Sequence, residues 1–197
     1  MSLQDVLESR ARWAPLYDSD PLHDGRLSTY QTDRVTWVDP ATTAADIYNL
    51  PNKFKPDYSP MQMMAMGVFG DSYWSDPLGR QRQALLPQNY PFTKQSKVYK
   101  NTRGAQCKRV NFYGRPASLT RDWWLNRAMI CDMDPLGWFE WYCWYWLGRR
   151  VTQYDAWQIA RWVNFKDRQM SMYYTNGFPG TRQAILHWAI RTPDLAM

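Results

Sequence analysis

A chain of 197 residues with 45% apolar side chains is long enough for one domain with a real core, and its twelve Trp and thirteen Tyr exclude general disorder. Twenty-four Lys and Arg against eighteen Asp and Glu leave a formal charge of +6, which with an isoelectric point near 9.3 favours an anionic partner. Three cysteines (Cys107, Cys131, Cys143) without CxxC spacing exclude a disulfide scaffold, and His23 with His187 is too small a set for a zinc cluster, so no metal centre is read from the ligand types.

In chain order, Leu3 to Trp13 reads as a short helix ended by Pro15. From residue 17 to 60 the chain is punctuated by Asp20-Pro21, Asp39-Pro40, Leu50-Pro51, Lys55-Pro56 and Ser59-Pro60, and the alternation in Arg34-Val35-Thr36-Trp37-Val38 predicts one brief strand. Ser59 as cap and Pro60 at the first helical position predict a helix with Met61, Met64, Ala65 and Val68 on one face, a stripe that reads as core rather than as a ligand site. Asp76-Pro77, Leu86-Pro87 and Tyr90-Pro91 predict loops as far as Thr120.

Four carboxy-terminal helices follow. Ser118 or Thr120 caps one through Met129; Asp134-Pro135 caps the next, which should run to Leu147 and stop at Gly148. A third spans about Tyr154 to Tyr174, and the fourth begins near Thr181 and ends before Pro193. They should pack around Trp138, Trp141, Trp157 and Trp188. The expected architecture is a mainly α, single helical domain: a loop-rich arm over 1–58 and a helical core over 59–197 that contains the basic, loop-dominated segment 77–121. No apolar run of signal-peptide or membrane-spanning type is seen, so the expectation is a soluble, cytoplasmic protein, in the host-cell cytoplasm if phage-encoded, with no membrane partner and its oligomeric state open.

Between Asp76 and Asp122 there are ten basic residues and no acidic one. Such a run suits DNA, or RNA, as partner. Within it Lys100, Arg103, Lys108, Arg109, Asn111, Tyr113 and Arg115 are candidate phosphate or nucleic-acid contacts, although Asn111-Phe112-Tyr113-Gly114-Arg115 reads equally as a turn. Arg149 and Arg150 follow a helix-ending glycine, where they suit the helix dipole and a phosphate alike, and Arg161 with Lys166 extends the set. Trp138 and Trp141 lie on a helix aromatic nearly all round, which makes them core residues or a nucleobase platform.

Glu140 is the one acid in that helix. It should pair with Arg149, Arg150 or an Arg of the basic segment, or serve as a general base. Asp132 and Asp134 are spaced to take Mg2+, but no cofactor is required; helix capping accounts for Asp134 and leaves Asp132 as the better catalytic carboxylate. His187, on an apolar helix, reads as a satisfied core histidine, and Cys143 as buried rather than nucleophilic.

Five strings occur in order: Met66-Gly67-Val68-Phe69-Gly70; Asp134-Pro135-Leu136-Gly137-Trp138-Phe139-Glu140-Trp141-Tyr142-Cys143; Leu147-Gly148-Arg149-Arg150; Gln158-Ile159-Ala160-Arg161-Trp162; and Arg182-Gln183-Ala184-Ile185-Leu186-His187-Trp188-Ala189. On these, residues 60 to 190 resemble a family scattered through bacteria, phages, large viruses, fungi and algae or plants, whose members look like the enzymes proposed for thymine hypermodification in phage DNA, above all amino-acid:DNA transferases. The sequence departs from that pattern at Trp144, where relatives carry a basic residue, and at Trp146, where they carry Tyr or Phe. The resemblance implies transfer of an amino acid or other small amine to an activated 5-substituted pyrimidine, such as pyrophosphorylated 5-hydroxymethyluracil in DNA. The competing expectations are a non-catalytic nucleic-acid-binding or architectural protein, and a virion or scaffold component.

Overall fold

Local capping chemistry sets three of the helix starts. Helix α1 (Pro60–Met66) opens with a reciprocal capping box: Gln62 N–H donates to the Ser59 hydroxyl at 3.2 Å and Ser59 N–H to Gln62 Oε1 at 2.8 Å. It stops at Gly67, whose φ of 71° lets its N–H reach back to the carbonyls of Met63 and Met64. The structure, a computed structural model, describes residues 35–37, 54–70, 72–87, 111–115, 119–127, 129–176 and 179–195; the expected helix from Leu3 to Trp13 lies outside them.

Among these residues the order is β1 (Val35–Trp37), α1, α2 (Pro77–Gln83), α3 (Arg121–Leu125), α4 (Trp138–Trp146), β2 (Arg149–Val151), α5 (Thr152–Asn176), α6 (Pro179–His187) and a single 3-10 turn over Pro193–Leu195. The protein is mainly helical, as expected, and its strands form one antiparallel pair with Trp37 opposite Arg149 and Val35 opposite Val151.

Three expectations need correction. Asp76-Pro77 starts α2 rather than a loop, because the Asp76 carboxylate accepts from Gly79 N–H at 2.5 Å and Pro occupies the first helical position. In α1 the buried side chains are Pro60, Met63 and Met64, whereas Ala65 is exposed and Met61 half-buried; Val68 is buried, but beyond the glycine that ends the helix. Helix α3, capped by Thr120, ends at Leu125 instead of reaching Met129.

The chain divides into two compact units. One, here the motif unit, holds the described residues of Arg10–Lys55 and Leu119–Phe165; the other, the C-terminal unit, holds those of Pro56–Ser118 and Lys166–Met197. The motif unit's core is aromatic: Phe54 lies 5.2–6.4 Å from the rings of Trp138, Trp141, Tyr142, Tyr145 and Trp162. Trp144 and Trp162 are fully buried there, whereas Trp157 is only half-buried. The C-terminal unit packs Met63, Met64, Val68, Trp74, Leu86, Ile185, Leu186 and Ile190, and Trp188 is half-buried within it.

Candidate functional site

The most specific sequence string folds into a buried electrostatic frame. Asp134 closes a tight turn, its N–H donating to the Cys131 carbonyl at 2.9 Å and its own carbonyl accepting from Gly137 N–H at 2.8 Å. Its carboxylate does not cap α4. Both oxygens accept from Arg149, Nη1 at 2.9 Å and Nη2 closer still, with both side chains wholly buried. Burial works against the guanidinium charge, but Asp134 outweighs it and holds Arg149 above its ordinary value. Of the Asp132 and Asp134 pair spaced for Mg2+, the Asp134 oxygens are thus engaged by an arginine fork.

The cap of α4 is Gly137, at φ 91° and ψ −153°, a backbone conformation open essentially to glycine alone. Glu140 reaches back one turn, where its Oε2 accepts from Leu136 N–H at 2.9 Å, and its side chain is fully buried. At the other end of the helix Arg150 donates to the carbonyls of Tyr145 at 2.6 Å and Arg149 at 2.8 Å while its guanidinium lies 3.7 Å from the Tyr145 ring centre. That is the helix-terminal reading of Arg150, whose charge lies at the carboxyl end of α4 beside the Tyr145 carbonyl that Gly148 N–H also reaches.

Trp141 and Trp138 belong to the core, at 0% and 7% exposure. The Trp141 indole donates to Asp155 Oδ1 at 2.8 Å, and Asp155 Oδ2 accepts from Val151 N–H at 2.8 Å, so this acid joins α4, β2 and α5. Burial nevertheless pushes Asp155 up to about 6, against those two hydrogen bonds. Asp155 was not singled out by sequence, although an acid in the first turn of a long helix is a readable signal. Trp144 is also fully buried, edge-on to Trp37 at 6.2 Å, with the Arg149 guanidinium 5.8 Å from its ring centre. Asp132, by contrast, is half-buried.

The thiols fit the inert reading. Burial pushes Cys131 up to about 12 and Cys143 well above its ordinary value. Among the described residues no group of three or more His, Cys, Asp or Glu could hold a metal ion.

Asn111, Tyr113 and Arg115 lie in the C-terminal unit, and there the turn reading of this stretch is realised. The Asn111 side chain accepts from Arg115 N–H at 3.0 Å and donates to the Arg115 carbonyl at 2.8 Å, around Gly114 at φ 63°. Tyr113 anchors the turn: its N–H donates to Gln183 Oε1 at 2.8 Å, and its hydroxyl meets Thr192 Oγ1 at 2.7 Å and Asp194 Oδ2 at 2.8 Å. Burial opposes the charge on Asp194, but hydrogen bonds from Tyr113 and Thr192 keep it below the usual carboxylate value. Gln183 also donates to the Val68 carbonyl at 2.7 Å, so one neutral amide holds two loops.

His187 stacks on Phe69 at 4.9 Å, but its Nε2 is buried without a hydrogen-bond partner. Burial pulls it down to about 4, opposed only by the Val68 backbone. The core placement stands, but the histidine is not fully satisfied. Lys100, Arg103, Lys108 and Arg109 lie outside the described residues.

Arg161 is different from the Arg149–Arg150 pair. Half-buried, it donates to the Met129 carbonyl at 2.9 Å and to Gln158 Oε1 at 3.0 Å, and it lies 4.4 Å from the centre of the Trp157 ring. Arg127, exposed, covers the half-buried Trp123 in the same way at 3.8 Å. Both pairs are spaced by four residues, a signal readable in the sequence but not used above. Comparison of the chain with protein-family models, curated proteins and solved structures finds no match.

Proposed function

We propose that the protein binds nucleic acid and that its tryptophan-rich motif is the frame of the fold rather than the contact surface. Charge carries this reading. Ten of the twenty-four basic residues lie between Asp76 and Asp122 with no acid among them, which leaves fourteen basic against eighteen acidic residues elsewhere. A chain so divided presents a cationic stretch on an otherwise slightly acidic protein, the pattern that attracts phosphates. Arg149 and Arg150 are 1% exposed, and for them the contacts within the protein support the structural half of the earlier reading.

Titration of labelled duplex and single-stranded DNA against salt tests the proposal. For Z phosphate contacts the slope of log affinity against log salt should be about −0.9Z for duplex and about −0.7Z for single strands. Replacing Lys94, Lys97 and Lys100 by Gln should make the slope shallower. Salt-independent binding, or none, would remove the reading.

A second reading, transfer of an amino acid to pyrophosphorylated 5-hydroxymethyluracil in DNA, is favoured by Asp132. This half-buried carboxylate sits beside the fixed Asp134 turn, whereas the Glu140 carboxylate is buried with an oxygen engaged by Leu136 N–H. Asp132 would take a proton from the amine as its nitrogen bonds to the methylene carbon and pyrophosphate leaves. Incubation with such DNA and pooled amino acids, read by mass spectrometry of the nucleosides, should give a new base that Asp132→Asn abolishes. An unchanged base would rule the reaction out.

A further inference from the structure

Charge divides unequally between the two units. The spans 56–118 and 166–197, from which the described C-terminal unit is drawn, hold thirteen Lys and Arg against five acids, whereas the rest of the chain holds eleven against thirteen. Within that unit the basic run ends at a fixed place. Tyr113, in the turn that also carries Arg115, is held to Gln183 of α6 and to Thr192 and Asp194 beyond it.

Two arginines remote from the run in sequence lie beside this anchor. Arg182 Nη1 is 3.6 Å from Asp194 Oδ2, and its guanidinium is 5.6 Å from the centre of the Tyr173 ring, whose hydroxyl donates to Asp194 Oδ1 at 3.5 Å. Arg191, directly before Thr192, is exposed, its guanidinium 5.8 Å from the Tyr58 ring centre and bonded to that hydroxyl. The neighbouring acids are Asp194 itself and Asp57, whose carboxylate accepts from Arg191 N–H at 2.8 Å.

These arginines are not held as the buried pair is. Arg149 gives both Nη groups to Asp134 inside the core, whereas Arg182 makes one long ion pair with its side chain 35% exposed, and its buried Nε has no hydrogen-bond partner. A guanidinium carries five N–H donors, so a single contact at 3.6 Å leaves Arg182 able to take two phosphate oxygens in a fork. Asp194 also accepts from the Tyr113 and Tyr173 hydroxyls, so its charge does not depend on Arg182 alone.

We infer that the C-terminal unit carries the nucleic-acid contact, and that Arg115, Arg182 and Arg191, on and beside the Tyr113–Asp194 anchor, are phosphate contacts that continue the basic run. The inference rests on the nucleic-acid-binding reading above and adds to it the unit and the residues, two of them far outside the run. Charge complementarity selects this occupant, because the anchored turn, the two arginines and the excess of positive charge belong to one unit.

The test is a salt titration of a labelled hairpin duplex with the full chain, read by fluorescence anisotropy, comparing wild type, Arg182→Gln, Arg191→Gln and the two combined. Arg127→Gln serves as an equal loss of charge from an exposed site of the motif unit. Each lost contact should make the slope of log affinity against log salt shallower by about 0.9 and lower the affinity in about 0.1 M salt roughly 8-fold, whereas Arg127→Gln should leave the slope unchanged. Arg191→Gln changes an exposed side chain, so it reports even if Arg182→Gln folds poorly. Wild-type affinity and slope in the combined variant, with binding still weakened by replacing Lys94, Lys97 and Lys100, would overturn this assignment and leave the broader reading intact. Equal losses from Arg127→Gln would overturn it too, since binding would then follow net charge and not this unit. Absence of binding by the wild type would overturn both.

Discussion

The two units meet the same requirement, burying polar groups among apolar ones, with different chemistry at the centre of each, although the C-terminal unit also buries Arg82 and the motif unit Gln158. In the motif unit the central buried groups are ionic: Arg149 with Asp134, Arg150 on the Tyr145 carbonyl of α4, and Asp155 between Trp141 and Val151. In the C-terminal unit the central connector is a neutral amide, Gln183, between Tyr113 and Val68, beside a histidine held in its uncharged form. Buried ions are costly unless fully engaged, and they direct geometry sharply because a misplaced partner leaves a bare charge. A neutral amide fixes its loops with less at stake. The ionic unit is therefore the one whose sequence string is so specific: each polar member of Asp134, Glu140, Arg149 and Arg150 has a partner that only this turn, helix and strand supply.

The largest expected effect breaks the ionic side. Arg149→Met strands the Asp134 carboxylate and should destabilise by about 3–5 kcal/mol in urea unfolding, whereas Asp134→Leu combined with Arg149→Met should recover much of the loss. Trp141→Ala belongs in the same range, about 3–5 kcal/mol, through lost burial and a cavity; an unchanged melting temperature would show that the aromatic helix is not core. On the neutral side Gln183→Leu should cost less, about 1–3 kcal/mol, because it leaves the Tyr113 amide N–H without its acceptor but strands no charge. If Gln183→Leu proves the more damaging, the contrast between the units fails.

The pH dependence sharpens the same contrast. Asp155 has a folded value of about 6, above that of an ordinary carboxylate, so its contribution is most favourable at low pH and is lost as pH rises through 6. His187 has a folded value of about 4, below that of an ordinary imidazole, so its contribution is whole at neutral pH and is lost as pH falls from about 6.5 towards 4. The two slopes oppose one another in that window, each on the order of 1–3 kcal/mol. Relative to wild type, the stability of Asp155→Asn should improve as pH rises from 4 to 7, and that of His187→Phe should improve as pH falls. Parallel profiles for both variants would refute the assignment. A smaller effect is expected at the α4 cap, where Gly137→Ala should lose about 1–3 kcal/mol to backbone strain, measurable by thermal unfolding.

Legibility in the sequence divided along the range of the interaction. The cap at Ser59-Pro60 was readable, the stop at Gly67 was passed over although it rests on local chemistry, and the general run of carboxy-terminal helices follows from spacing and punctuation. The two Asp-Pro dipeptides show the limit. Asp76-Pro77 begins a helix because the Asp76 carboxylate accepts from Gly79 N–H, while the carboxylate of Asp134 is taken by an arginine fifteen residues away. A dipeptide cannot report a partner at that distance. Burial of the aromatic helix was legible from its all-round composition, but the division of labour among arginines was not. Arg149 and Arg150 are buried where β2 pairs with β1, whereas the Trp–Arg stacks of Arg127 and Arg161 leave a four-residue spacing in the sequence.

One comparison tests most directly whether the motif is frame rather than contact: the DNA affinity of a folded Asp134→Leu with Arg149→Met double variant set against that of the wild type, at matched salt. The account expects equal affinity and an equal salt slope, because the pair is buried and its charges cancel. A folded variant with sharply weakened binding or a shallower slope would mean that Arg149 reaches the phosphates, and would contradict it.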